Sequence, residues 1–146
     1  MFDSVKMDGI KFPFEDKFVI NEYQTKDFDC TLDTIVFHGD GTITRDRGVY
    51  ETVPEEERPY YGKTEWEGPF GKVIGMTRRI ETVSDLIGLP EREIYHFYTS
   101  IENATESWLD IWADVENHKV IQFRWEISDL KNGEHLLDKG KVILNV

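Results

Sequence analysis

His96, with Asp110 or Glu126 as its partner, is the group of side chains in this 146-residue chain whose types could move a proton, although nothing in their spacing sets them at proton-transfer distance. An imidazole beside a carboxylate is the smallest general acid–base pair. The same stretches carry a second set of groups suited to gripping rather than reacting: Tyr98, Trp108, Trp112 and Arg124. A guanidinium stacked on the Trp112 indole and tied to Asp110 would order a sheet surface, contributing about 0.5–1 kcal/mol if exposed. Exposed Trp, Tyr and Arg are also the residues that dominate binding energy at protein interfaces. Two readings of this group stand side by side. In one it is a solvated face on which aromatics cover each other; in the other it is a binding surface. Tyr60, Tyr61 and Trp66, in a proline- and glycine-rich stretch, form a second candidate binding set.

Other chemistries find no pattern. The histidines, His38, His96, His118 and His135, show no i, i+4 or H-x-H pairing, so no zinc site is written in the sequence. Gly39-Asp40-Gly41 is followed by no series of oxygen ligands, which argues against a calcium loop. Gly62, Gly68 and Gly71 open no strand-to-helix phosphate loop, and Ser107 and Ser128 lack an elbow motif. Asn103-Ala104-Thr105 matches a glycosylation sequon but reads as a turn. No catalytic residue, metal or cofactor is assigned.

The elements that must position the candidate face are strands. From Trp108 to Val115, Leu109, Ile111, Ala113 and Val115 alternate with Trp108, Asp110, Trp112 and Asp114. From Ile121 to Ile127, apolar Ile121, Phe123, Trp125 and Ile127 alternate with Gln122, Arg124 and Glu126. Strand side chains point to opposite faces in turn, so each half buries one face and presents the other. Glu116-Asn117-His118-Lys119 supplies the turn. A plain two-residue loop at Asn117-His118 would set Ile111 against Arg124 and Leu109 against Glu126, apolar against charged. One residue more or less restores the match. The spacing therefore predicts a three-residue or bulged turn with Asn117 or His118 left-handed, Asn117 being the better candidate. Glu93 to Ile101 alternates likewise and completes a three-stranded meander.

Elsewhere, Met1 to Lys11 is polar and aperiodic and reads as a loose N-terminal segment, residues 1–11, of a single domain spanning 1–146. Phe12-Pro13-Phe14 suggests an edge or lid packed on the core. Phe18 to Thr25 is expected as a first strand and Cys30 to Phe37 as a buried one, with Leu32, Ile35, Val36 and Phe37 inside. Asp40-Gly41 signals a hairpin turn leading into Thr42 to Val53. Pro54 to Gly71 breaks the pattern with three prolines and three glycines, yet carries Tyr60, Tyr61, Trp66 and Phe70. It is expected as a long ordered loop packing its aromatics over the sheet. Lys72 to Val83 reads as a strand, Ser84 to Pro90 as one helical turn, Asn132-Gly133 as a turn and Val142 to Leu144 as a terminal strand. The fold class is mainly β: an antiparallel sheet forming a sandwich or a strongly curved, barrel-like sheet, with at most one short helix.

Composition narrows function. With 29 acidic against 17 basic residues the net charge is −12, which argues against nucleic-acid or anionic-membrane binding. The same surplus keeps a strand-rich protein soluble, and is also compatible with a basic partner or with mimicry of a nucleic acid. One cysteine, Cys30, rules out an internal disulfide and reads as a small buried residue. The N-terminus M-F-D-S-V-K-M-D-G holds no apolar run, so no secretory signal is expected and a cytoplasmic location is the default.

The runs E-Y-Q-T-K-D-F-D-C-T-L-D-T, D-G-T-I, V-P-E-E-E-R-P-Y-Y-G-K-T-E-W-E and I-Y-H-F-Y-T-S resemble a family of proteins carried by bacteria, their phages and mobile elements such as integron cassettes. The similarity covers roughly Glu22 to Trp125, is most specific at V-P-E-E-E-R-P-Y-Y-G, and weakens at the acidic ends. It implies a mobile accessory gene product and brings no activity or catalytic residues with it. Such an origin fits a binding or modulating role at least as well as a metabolic enzyme. The expectation is a small cytoplasmic protein that works by binding another protein, or a copy of itself, through the 96–126 face. Two alternatives remain: a hydrolase-like small-molecule enzyme with its site between the sheet and the 54–71 loop, and an acidic nucleic-acid mimic.

Overall fold

The computed structural model describes residues 1–102, 106–129 and 135–146. The strands are β1 (Asp3–Asp8), β2 (Tyr23–Thr25), β3 (Thr34–His38), β4 (Ile43–Thr52), β5 (Thr77–Leu86), β6 (Arg92–Ser100), β7 (Ser107–Glu116), β8 (Lys119–Asp129) and β9 (His135–Ile143). They form one sheet in the order β5-β4-β3-β1-β2-β6-β7-β8-β9, with β5 and β9 at its ends. Helical structure among the described residues is limited to three short 3-10 turns, at Pro13–Asp16, Glu55–Glu57 and Thr64–Glu67. Among these residues no helix is long and apolar enough to cross a membrane. The sheet is mostly antiparallel: β1–β2, β2–β6, β3–β4, β6–β7, β7–β8 and β8–β9 pair antiparallel, while β1 runs parallel to β3. The chain divides into two compact units, Met1–Asp46 with Ser84–Val146, and Arg47–Val83.

The sheet of the larger unit is open at its ends and curves around its own core. Phe37 of β3 touches Phe123 of β8 and Phe97 of β6, with ring centroids 5.6 and 5.2 Å apart. The β3–β4 turn also reaches β8, where the Val120 N–H donates to the Gly41 carbonyl. Gly41 is required there: its φ is +85°, and a Cβ would lie 2.7 Å from the Val120 carbonyl oxygen. Phe12 and Phe14 fill the concave side. Their rings stack at 5.1 Å, Phe12 meets Phe123 edge-on at 5.5 Å, and Phe14 meets Trp125 at 5.3 Å. Pro13 starts the 3-10 turn, and the Glu15 carboxylate accepts the Phe12 N–H at 2.8 Å. The Phe-Pro-Phe expectation of a piece packed on the core is met, by full burial.

The N-terminus departs from expectation. Residues 3–8 are an interior strand between β3 and β2, not a loose end. Val5 points into the core, and so does Asp3, which is fully buried. Its carboxylate accepts the backbone N–H groups of Cys30, Thr31 and Asp33 at 2.9–3.0 Å. Three donors compensate the burial of one charge, and they also hold a strained loop. Cys30 and Leu32 take left-handed φ of 54° and 63°. Residues 30–33 therefore lie outside the strand expected from Cys30. Cys30 is only half-buried and Leu32 is exposed, because the loop turns their side chains away from the sheet.

Three further elements differ. Of the strand expected over Lys72 to Val83, residues 72–76 form turns and a bend, and β5 starts at Thr77. Only Tyr23–Thr25 of the Phe18–Thr25 run pairs as β2. Ser84 to Leu86 continues β5 instead of coiling, with the Ser84 hydroxyl donating to Asp46 and the Ile87 N–H to the Ile43 carbonyl. These pairing partners outweigh a local capping signal. The expected turns at Asn103–Thr105 and Asn132-Gly133 lie outside the described residues.

In the smaller unit, Pro54 to Phe70 forms the two remaining 3-10 turns and no strand. Arg58 organises it, donating to the carbonyls of Val53 (3.0 Å) and Lys72 (2.7 Å). The loop does not bury its aromatics as expected: Tyr61 and Phe70 are exposed, and Tyr61 packs edge-on against Trp66 at 5.4 Å. A segment this rich in proline and glycine offers few regular positions from which a ring can reach a core.

Candidate functional site

The core side of the meander matches its alternation. Leu109, Ile111, Ala113, Val115, Phe123, Trp125 and Ile127 are buried, while Trp108, Asp110, Trp112, Asp114 and Arg124 stand half-exposed on the other face. The registers fix what meets what. Trp112 lies opposite His96 of β6 on one side and opposite Arg124 of β8 on the other, and Asp110 lies opposite Tyr98 and Glu126.

Of the two expected devices, the bulge and not the three-residue turn meets the register requirement. Asn117 and His118 make a two-residue turn, both left-handed at φ 53° and 67°, with Val115 opposite Val120. The extra residue sits in the strand, where the pairing shifts between Asp114 and Val115 and leaves Ile121 out of step. That bulge sets Ile111 against Trp125 and Leu109 against Ile127, apolar on apolar. His118 is braced through Nδ1 by the Leu89 carbonyl at 2.9 Å.

On the polar face the rings form a continuous row. Trp108 stacks on Tyr98 (5.6 Å, 21°), Tyr98 contacts His96 (5.6 Å), and His96 stacks on Trp112 (5.5 Å, 24°). The Arg124 guanidinium carbon lies 5.6 Å from the Trp112 ring centroid and ends the row. Two carboxylates pin it. Asp110 holds His96 through Nε2 at 2.7 Å. Asp114 accepts two parallel donors from Arg124, Nε at 2.7 Å and an Nη at 2.8 Å, and a third from Gln122 at 2.7 Å. The Arg124 hydrogen bonds hold the Asp114 carboxyl below the usual carboxylate range against the opposing effect of burial, and raise the guanidinium in turn.

The expected stacking of Arg124 on Trp112 is present, but its carboxylate is Asp114, not Asp110. Both aspartates are diagonal neighbours of Arg124. Asp110 is occupied from the β6 side by His96, and the twist of the sheet favours one diagonal over the other. Spacing alone gives no sign that His96 and Asp110 reach proton-transfer distance; the structure places them there. Glu126, the other acid–base candidate for His96, lies on β8 with β7 between them, and faces Lys139 of β9.

Sequence reasoning missed the neighbours on β9. Trp112, Arg124, Glu126, Lys139 and Lys141 line an open groove of about 360 Å³. Lys141 lies opposite Arg124, and both lysines are exposed. The β9 lysines alternate about Gly140, which was the available signal. Gly140 is itself demanded by the core, since a Cβ there would lie 2.5 Å from the buried Trp125 ring. Tyr60, Tyr61 and Trp66 belong to the smaller unit, where Tyr61 and Trp66 contact each other and Tyr60 is half-buried. Among the described residues no group of three or more His, Cys, Asp or Glu side chains is placed to hold a metal ion. Comparisons with protein-family models, with curated proteins and with solved structures find no match to this chain.

Proposed function

We propose that this chain is a binding protein that grips a protein partner through the polar face of β6–β8. One observation carries this reading: Trp112 is held between His96 from one neighbouring strand and Arg124 from the other, each pinned by its own aspartate, while the row stays half-open to solvent. A row of rings fixed before contact loses little side-chain entropy on binding, which is where preordered surfaces gain affinity. Trp, Tyr and Arg are the residue types that anchor such contacts. The adjoining groove is open, which suits a partner's surface better than an engulfed small molecule. On its border Arg124 is already paired with Asp114 and Lys139 faces Glu126, which leaves Lys141 as the cation offered, so a carboxylate is the expected counterpart on the partner. Trp112→Ala tests the proposal: partner capture weakens while the fold is retained. If the variant unfolds, Trp112 serves the core and the reading fails.

The His96–Asp110 contact favours a second reading, acid–base catalysis, with Asp110 orienting Nε2 and Nδ1 left to meet a substrate. His96→Asn would abolish such an activity outright, whereas if the row only binds, the same change weakens partner capture and removes no turnover.

A further inference from the structure

The β5 strand ends the sheet with an open edge. From Thr77 to Thr82 every residue is exposed, Ile80 at 54%. Val73, Ile74 and Met76, just before it, are exposed as well. A long strand edge that also displays apolar side chains is a template for another strand.

The edge's own sequence selects the occupant. Two copies related by a twofold axis perpendicular to the sheet pair antiparallel, and each residue then faces one an even number of positions away. An axis through Arg78, Arg79 or Glu81 sets that charge against its own copy. An axis through Val83 sets Glu81 against Asp85, and one through Thr82 sets Glu81 against Val83 and Ile80 against Ser84. Only the axis through Ile80 matches throughout. Ile80 meets Ile80, Arg79 meets Glu81 twice, Arg78 meets Thr82, and Thr77 meets Val83. Arg78 is already neutralised by Glu51, so its place opposite Thr82 leaves no bare charge.

We infer that the Thr77–Val83 edge is a self-association surface, occupied by the same segment of a second copy in the Ile80-centred register. This surface is separate from the ring face and does not depend on that reading.

The experiment is the solution mass of the full chain by light scattering or sedimentation, with circular dichroism confirming each fold. The wild type is expected at twice the mass of one chain. Arg79→Glu and Glu81→Arg each turn two attractive contacts into two repulsive ones, and are expected to weaken the dimer about tenfold or more. An equimolar mixture of the two variants restores both attractions and is expected to pair as a heterodimer, as is the double swap with itself. A monomeric wild type, unaffected dimers in both single variants, or a mixture that stays monomeric would each overturn the inference. Should one single variant fail to fold, the double swap still decides, since loss of its dimer contradicts the register.

Discussion

Arg124 lies directly opposite Trp112 across β7 and β8, with its guanidinium carbon 5.6 Å from the ring centroid. The same guanidinium closes a two-pronged hydrogen bond on Asp114. An arginine held in this way has little freedom left, and the indole beside it is fixed with it.

That pair should be visible in the pH dependence of stability. Asp114 titrates below its ordinary value in the folded state because Arg124 favours the carboxylate. A folded pKa below the unfolded one means the stabilisation is fully present above the unfolded pKa, and is lost as pH falls through the folded pKa. Asp114→Asn is therefore expected to be less stable than wild type at neutral pH by about 1 kcal/mol, the scale of a well-formed, partly exposed pair. Below the ordinary carboxylate range the difference should shrink as the wild-type carboxyl takes its proton. Urea midpoints at descending pH measure this, and parallel curves for the two proteins would contradict it.

Asp3 supports a different part of the chain. Asp3→Ala leaves the N–H groups of Cys30, Thr31 and Asp33 without their acceptor beside a fully buried position. The expected cost is about 3 kcal/mol, since several donors to a charged group are orphaned together. Chemical denaturation checks it. A loss under 1 kcal/mol would mean that the loop finds other partners.

Phe12 should behave as core. Its ring contacts Phe14, Phe123 and Trp125, and is fully buried. Phe12→Ala is expected to cost about 3–5 kcal/mol. A much smaller loss in thermal or urea melts would mean that Phe12-Pro13-Phe14 is a detachable cover.

What could be read from the residues divides along physical lines. Alternation from Tyr95 to Ile127 gave the meander and its two faces, because a half-buried sheet imposes period two on the sequence. The demand that Leu109 and Ile111 meet apolar partners required one extra residue between the strands. Nothing local indicated that Ile121 within β8 would absorb it, because a bulge and a longer turn restore register equally well. The strand at Asp3–Asp8 was illegible. Its inward residues are Asp3, Val5 and the partly buried Met7, and a buried carboxylate reads as surface until its three backbone donors, 27 to 30 residues on, are seen. The choice of Asp114 over Asp110 depends on sheet twist and on competition from His96, both tertiary effects. The groove at Lys139 and Lys141 depends on β9 pairing with β8 across a separation no short-range pattern records.

The central claim is that the Trp108–Tyr98–His96–Trp112–Arg124 row is a surface for a protein partner. Quantitative co-purification from the source cells tests it most directly, comparing wild type, Trp112→Ala and, as control, Lys11→Ala at an exposed residue outside the ring row, with melting curves for all three. The expected result is one partner held by wild type and control and lost from Trp112→Ala, with all three proteins folded. Equal capture by all three, or a Trp112→Ala protein that does not fold, would contradict the claim.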